Sequence, residues 1–246
     1  MITSIRKLST LLAAACLGLL AAAPAQAEKA QEPKTCIPAS REGQEWWKTR
    51  NAAFNVIAQQ RNAKIVFLGD SITHNWEIPG RVSWETHFAP LDAVNFGISG
   101  DKTENILWRI ESGNFSGKMN PKLIVLMIGT NNWRDEAGDT AKGVKKILKT
   151  LQKSEPQAKI LLLAIFPRGA DKNDTARQKN ERVNAEIEKY ADGKRIFWLN
   201  INDIFLEKDE ARTLPKAVMP DLLHPSAEGH RRWAEAVLPL VKQLSR

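Results

Sequence analysis

The sequence predicts an α/β fold, a three-layer α/β/α sandwich around a central five-stranded parallel sheet. Three observations carry this expectation. Short apolar runs alternate with segments of helical periodicity, the pattern of strands joined by crossover helices. The apolar runs are continuous rather than alternating, as in strands covered on both faces. Polar residues capable of chemistry cluster just after three of those runs, at the strand ends where open parallel sheets hold their ligands.

A leader precedes the fold. Arg6 and Lys7, the apolar run from Leu11 to Ala23 and Pro24-Ala25-Gln26-Ala27 supply a basic region, a hydrophobic core and an A-x-A cleavage site. Residues 1–27 are therefore expected to be a signal peptide cut between Ala27 and Glu28, leaving the protein periplasmic or secreted. The run is shorter than the roughly 20 residues of a membrane span, and no later stretch is apolar enough for one, so no stable membrane insertion is expected after cleavage. A competing reading, lipidation at Cys16, meets Ala13 where an aliphatic residue is usual, and the apolar run continues past the cysteine. Cleavage leaves Cys36 as the one cysteine, read as a free thiol, so no disulfide can form within one chain. Loss of Arg6 and Lys7 lowers the net charge from +8 to +6. The remaining Lys and Arg interleave with Glu and Asp on helix surfaces, which argues against a nucleic-acid partner and leaves only weak attraction to anionic envelope surfaces.

Residues 28–44 read as a flexible polar segment and residues 45–246 as one domain, whose 43% hydrophobic and 26% charged composition is ordinary for a globular chain. Trp46 and Trp47 fall in a first helix and read as core. Strands are expected over Ile65 to Leu68, Ala93 to Phe96, Leu123 to Ile128, Ile160 to Ile165 and Ile196 to Leu199. Between them, Ile106, Leu107 and Ile110 sit at helical spacing within Thr103 to Glu111, as do Val144, Ile147, Leu148 and Leu151 within Thr140 to Leu151. Thr175-Ala176-Arg177-Gln178 reads as a capping box opening a helix that buries Val183 and Ile187. A last helix follows Pro225-Ser226, with Trp233, Ala234, Val237, Leu240, Val241 and Leu244 as its inner stripe.

Gly69-Asp70-Ser71-Ile72 follows the first strand directly, which places Ser71 on the turn at its carboxyl end. A serine hydroxyl needs a base to take its proton, and the base needs an orienting group. Asp221-Leu222-Leu223-His224 supplies both, because a three-residue separation in a turn lets the carboxylate reach the imidazole. Ester chemistry at Ser71 would also need donors for the developing oxyanion. Besides the Ser71 amide, the candidates are the amide of Gly100, whose missing side chain allows close approach, and the side-chain amide of Asn131, after the second and third strands.

Four blocks in order, Ser71, Gly100, Asn131 and His224, resemble those of the SGNH (GDSL-like) hydrolases, from about Lys64 to the C-terminus. Within that family, Asn95-Phe96-Gly97-Ile98-Ser99-Gly100-Asp101, Leu107-Trp108-Arg109, Gly129-Thr130-Asn131-Asn132, Phe166-Pro167-Arg168-Gly169, Arg177-Gln178-Lys179-Asn180 and Asp221-Leu222-Leu223-His224 resemble the intracellular-type catalytic subunits of platelet-activating factor acetylhydrolase. The resemblance implies an SGNH fold of flavodoxin-like topology, an acyl-serine esterase, no cofactor and a homodimer. Asn132 departs from the wider family, where Asp is common, but agrees with the acetylhydrolase group. The leader is the larger departure, since those relatives are cytosolic, so the same lipid substrate is not assumed. Acetylated carbohydrate is the first expectation for an exported member and phospholipid or a platelet-activating-factor-like lipid the second, with no single residue deciding.

Blander readings compete at each position. Asp70 and Ser71 could simply cap the following helix, and Gly100 and Asn131 could be turn residues; the four blocks together outweigh this. Asp70, Trp76, Trp133 and Arg168 are candidates to meet substrate, with core packing favoured for both tryptophans. His74 reads as a wall residue without a nearby acid, His230 as solvated, and no tight spacing of His and Cys suggests a metal. A flavodoxin-like module holding a phosphate at Ser71 and Thr73 explains the first block alone and would purify yellow if it bound flavin. A surface binding protein that has lost catalysis would retain carbohydrate or lipid without cleaving it.

Overall fold

The structure, a computed structural model, describes residues 1, 31–60, 63–115 and 118–246; the expected leader, apart from Met1, lies outside the described residues. The five apolar runs form β1 (Ile65–Gly69), β2 (Ala93–Gly97), β3 (Leu123–Met127), β4 (Lys159–Leu163) and β5 (Ile196–Leu199). They pair in parallel in the order β2-β1-β3-β4-β5. Gly69 is level with Gly97 on one side and with Met127 on the other, so the three strands that feed the site end at one height.

Successive strand residues face opposite sides, and each side has its own helix layer. Val66, Leu68, Ile124 and Leu126 pack with residues of α1 (Glu45–Gln60), α4 (Thr103–Arg109), α5 (Ala137–Ser154) and α6 (Thr175–Ile187). Ile65, Phe67, Leu123 and Val125 pack with residues around α2 (Ser71–His74), α3 (Arg81–His87) and α7 (Ala227–Leu244). Burial on both faces is why these strands read as unbroken apolar runs.

Several boundaries differ from expectation for identifiable reasons. The third and fourth runs stay buried through Ile128 and Ile165, but strand pairing stops at Met127 and Leu163; apolarity reports burial, not pairing. Asn184 on α6 takes over there, accepting from the Ile165 N–H at 2.8 Å and donating to its carbonyl at 2.9 Å. Asp174, not Thr175, caps α6, its Oδ1 accepting from the Ala176 and Arg177 amides. α5 begins at Ala137, a turn before the expected Thr140, whose hydroxyl donates back to the Glu136 carbonyl. Trp47 is buried, but Trp46 is 49% exposed, so the first helix presents only one of its paired indoles to the core.

The segment expected to be flexible is docked over residues 32–44. Thr35 and Cys36 are buried, the latter as a free thiol. The Thr35 hydroxyl donates to the Asp139 carbonyl at 2.6 Å, and the Thr103 hydroxyl donates to the Thr35 carbonyl at 2.9 Å. Ala39 exchanges bonds with α4, its amide donating to the Glu104 carbonyl and its carbonyl accepting from Asn105 Nδ2. A polar segment can thus be fixed by hydrogen bonds that hydropathy does not reveal.

Candidate active site

β1 ends at Gly69, and the chain turns at once into α2. Asp70 caps this helix, its Oδ1 accepting from the Ile72 amide at 3.0 Å, so Ser71 occupies the first helical position, where an N–H lacks an intrahelical acceptor. The short helix packs tightly on β2: a Cβ on Gly97 would lie 2.2 Å from the His74 nitrogen. Only glycine permits that approach.

The Ser71 hydroxyl lies 2.8 Å from His224 Nε2, and His224 Nδ1 lies 2.6 Å from Asp221 Oδ2. Asp221 accepts through Oδ1 from the Leu223 and His224 amides, while Leu222 adopts a left-handed φ of 60° and its carbonyl accepts from the Gly169 amide. The turn therefore locks the carboxylate beside the ring. Desolvation pushes the Asp221 carboxyl up, but the imidazole and the two amides outweigh it and hold the group below its ordinary value. With Nδ1–H donated to Asp221, Nε2 offers its lone pair to the serine O–H.

Gly100 has a φ of +78° and its amide makes no hydrogen bond among the described residues. Asn131 Nδ2 donates to the Asp101 carbonyl at 3.0 Å, using one of its two amide hydrogens and joining the loops after β2 and β3. The Asp101 carboxylate, fully buried, is held by Arg109 at 2.8 Å, Arg41 at 3.0 Å and Trp47 Nε1 at 2.7 Å. Arg109 also donates to the Phe96 carbonyl and Asn114, so a buried cation with all sides partnered braces this loop. Neither Asp101 nor Arg41 stands out in sequence as a supporting residue; their signal is only that Asp101 follows the glycine. Asn132 is buried and structural, accepting from the Thr103 amide and donating to Glu104 and Asp135.

The other candidates divide. Asp70 is 1% exposed and Trp76 is 1% exposed, so neither is open to a substrate: Asp70 caps α2, and Trp76 packs among Phe67, Trp84, Phe88 and Trp233. Burial pushes Asp70 up to about 7. Trp133 is 55% exposed, two residues beyond Asn131, with the Arg134 guanidinium over its ring. Arg168 turns to Thr130, its Nη1 3.2 Å from the carbonyl. His74 is not without an acid, since Glu77 Oε2 lies 3.6 Å from its Nε2. No group of three or more metal-ligating side chains exists among the described residues, and none of their helices is long and apolar enough to cross a membrane.

His230, expected in solvent, is fully buried between Trp76 and Trp233, because its helical phase places it one turn before Trp233 on the same face. Its Nδ1–H donates to the Ser226 carbonyl, and burial lowers its pKa to about 4. Unfolded His takes up its proton near 6.5, so stability is fully present above that pH and declines as pH falls toward 4. Asp70 shifts the other way over an overlapping range, so the test compares wild type with His230→Asn. Relative to the variant, wild type should lose up to about 3 kcal/mol between pH 7 and pH 4 in urea unfolding. An unchanged difference would mean that the imidazole is charged in the folded protein.

A doubly covered parallel sheet with serine, imidazole and carboxylate hydrogen-bonded in sequence at its carboxyl edge is the arrangement of an α/β hydrolytic enzyme. The chain belongs to the GDSL-like lipase/acylhydrolase family, whose family model matches residues 67–232. It is 32% identical over 210 residues to platelet-activating factor acetylhydrolase IB subunit alpha2 of Rattus norvegicus, covering 82% of this chain and 86% of the rat protein. Among solved structures it resembles a GDSL-like lipase from Bacteroides thetaiotaomicron, with a TM-score of 0.65 at 22% identity over 81% of this chain and 97% of that one. It also resembles an acetylxylan esterase from Geobacillus stearothermophilus, with a TM-score of 0.58 at 18% identity over 76% and 96%. Membership of an acylhydrolase family overturns the reading as a flavodoxin-like cofactor module.

Proposed function

We propose that this chain is an exported serine esterase that removes short acyl groups, acetyl above all, through an acyl-Ser71 intermediate. The observation that carries the reading is the continuous chain Ser71 Oγ, His224, Asp221, with links of 2.8 and 2.6 Å. As the Ser71 oxygen attacks the ester carbonyl, its proton passes to His224 Nε2, and Asp221 stabilises the imidazolium. The oxyanion receives the amides of Ser71 and Gly100 and the second amide hydrogen of Asn131. Collapse expels the alcohol with the proton from His224. Water, deprotonated by the same imidazole, then attacks the acyl-serine and releases the acid.

Acetyl specificity is supported by two kinds of similar protein, an acetylhydrolase and an acetylxylan esterase. For the alcohol we favour carbohydrate: exposed Trp133, two residues from Asn131, is an aromatic face for a sugar ring. A lipid alcohol is the second reading, favoured by the acetylhydrolase relatives at 32% identity. The test is steady-state hydrolysis of p-nitrophenyl esters of rising acyl length, followed by acetylated xylo-oligosaccharide and a platelet-activating-factor-type lipid. Fast cleavage of acetate with decline at longer chains, and acetate release from the saccharide, is expected; a preference for long acyl chains would refute the acetyl assignment. Export rests on the leader, and the protein recovered from the periplasm or medium should begin at Glu28 by N-terminal sequencing; an intact Met1 would contradict it. A homodimer, carried from the resemblance, is proposed with it.

A further inference from the structure

A second imidazole faces the site. His74 lies one turn after Ser71 on α2, and its Nδ1 is 2.9 Å from Ser99 Oγ and 3.3 Å from the Ser99 amide nitrogen. An amide can only donate, so Nδ1 carries the lone pair and the ring proton belongs on Nε2. Nε2 points toward Glu77, whose carboxylate Arg50 grips through both oxygens while donating from Nε to the Gly97 carbonyl at 2.8 Å. Carboxylate, imidazole and serine thus repeat the order of the catalytic triad, but this second series ends on a backbone amide.

The peptide that follows is held from the other side. Arg41 Nη1 donates to the Ser99 carbonyl at 2.8 Å and to the Asp101 carboxylate, and Nη2 donates to Gln44 Oε1. In a trans peptide the carbonyl and the next N–H point in opposite directions. The Ser99 carbonyl and the Gly100 N–H belong to one such unit, so an arginine that fixes the first aims the second. His74 pins the residue's amide, and Arg41 pins its carbonyl. A Cβ on Gly100 would lie 3.1 Å from the guanidinium, which shows how closely Arg41 covers this turn.

We propose that His74 and Arg41 are positioning residues that clamp the Ser99–Gly100 peptide so that the Gly100 N–H faces the oxyanion. The inference rests on the proposed function, in which Gly100 is an oxyanion donor. It also gives the docked N-terminal segment a role, since Arg41 reaches the site only because residues 32–44 are fixed. Arg41 is held by the chain's own Asp101 and Gln44, so the fold itself aims the donor.

A misaimed donor weakens binding of the transition state and leaves the ground state almost unchanged. His74→Leu and Arg41→Leu should therefore each lower kcat by about 10–100-fold, part of the 10²–10³ seen when such a donor is removed, with KM within about twofold. Affinity for a boronic acid that adds to the serine should fall in parallel with kcat. Asn places an acceptor where Nδ1 sits and Gln places it near Nε2, so His74→Asn should stay within about threefold of wild type and His74→Gln should not. This pair decides the matter even if the leucine variants fold poorly. Equal activity of His74→Asn, His74→Gln and wild type would overturn the proposal, as would parallel changes in kcat and KM. Ser71→Ala runs alongside: if it is inert while the clamp variants are normal, only the clamp falls; if it is active, the esterase reading falls with it.

Discussion

Ser71→Ala should lower kcat by about 10⁴–10⁶-fold and leave thermal unfolding within a few degrees of wild type. The magnitude follows from what the substitution removes. With no hydroxyl at 2.8 Å from Nε2, the acyl-enzyme cannot form, and only water attack assisted by the remaining donors is left. His224→Ala should fall by a similar factor, because the serine then lacks its base. Combining the two should cost little more than either alone, since both disable the same step. Stability is spared because the fold does not depend on the pair: Ser71 is half-buried at a helix start, and the His224 side chain is partly exposed. Mass spectrometry with a fluorophosphonate gives an independent reading, with Ser71 as the modified residue in wild type and no adduct in the alanine variant. Undiminished turnover by Ser71→Ala would end the assignment.

Asn131→Ala should cost about 10²–10³-fold in kcat with a small change in KM, the signature of a donor that acts in the transition state. Asn131→Asp should be at least as poor. A carboxylate cannot donate to the oxyanion and would face the Asp101 carbonyl, which now accepts from Nδ2 at 3.0 Å. Because that bond ties two loops together, part of the loss comes from Asp101 shifting, and this part should appear as a lower melting temperature shared by both variants. Wild-type kcat in Asn131→Ala would remove it from the oxyanion hole.

Much of this arrangement is legible in the sequence because its physics is local. Strand–helix alternation, burial on both faces and the three-residue step from Asp221 to His224 depend on neighbours along the chain. What is not legible depends on residues far apart. Trp76 and His230 are separated by more than half the chain, yet they share one aromatic cluster, so the burial of the imidazole and its depressed pKa cannot be read from adjacent residues. Residues 32–44 look featureless by hydropathy because hydrogen bonds to Glu104, Asn105 and Asp139 hold them. In the sequence Arg109 is visible only as part of a resemblance. Its role needs Asp101, eight residues before it, to be buried in the same place.

The common height at which β1, β2 and β3 end has a consequence for what can reach the serine. Three loops leave the sheet from one level, and the Asp221 and His224 side chains at their edge are 56% and 29% exposed. Among the described residues, the Ser71 oxygen proposed as nucleophile therefore stands on a ledge rather than at the bottom of a shaft. An ester borne midway along a long polymer can be laid across a ledge sideways, with no free end to thread and no need for the backbone to bend inward. On the proposed carbohydrate-esterase reading, chain length then sets no barrier to entry, and discrimination falls to the spacing and decoration of the groups flanking the ester.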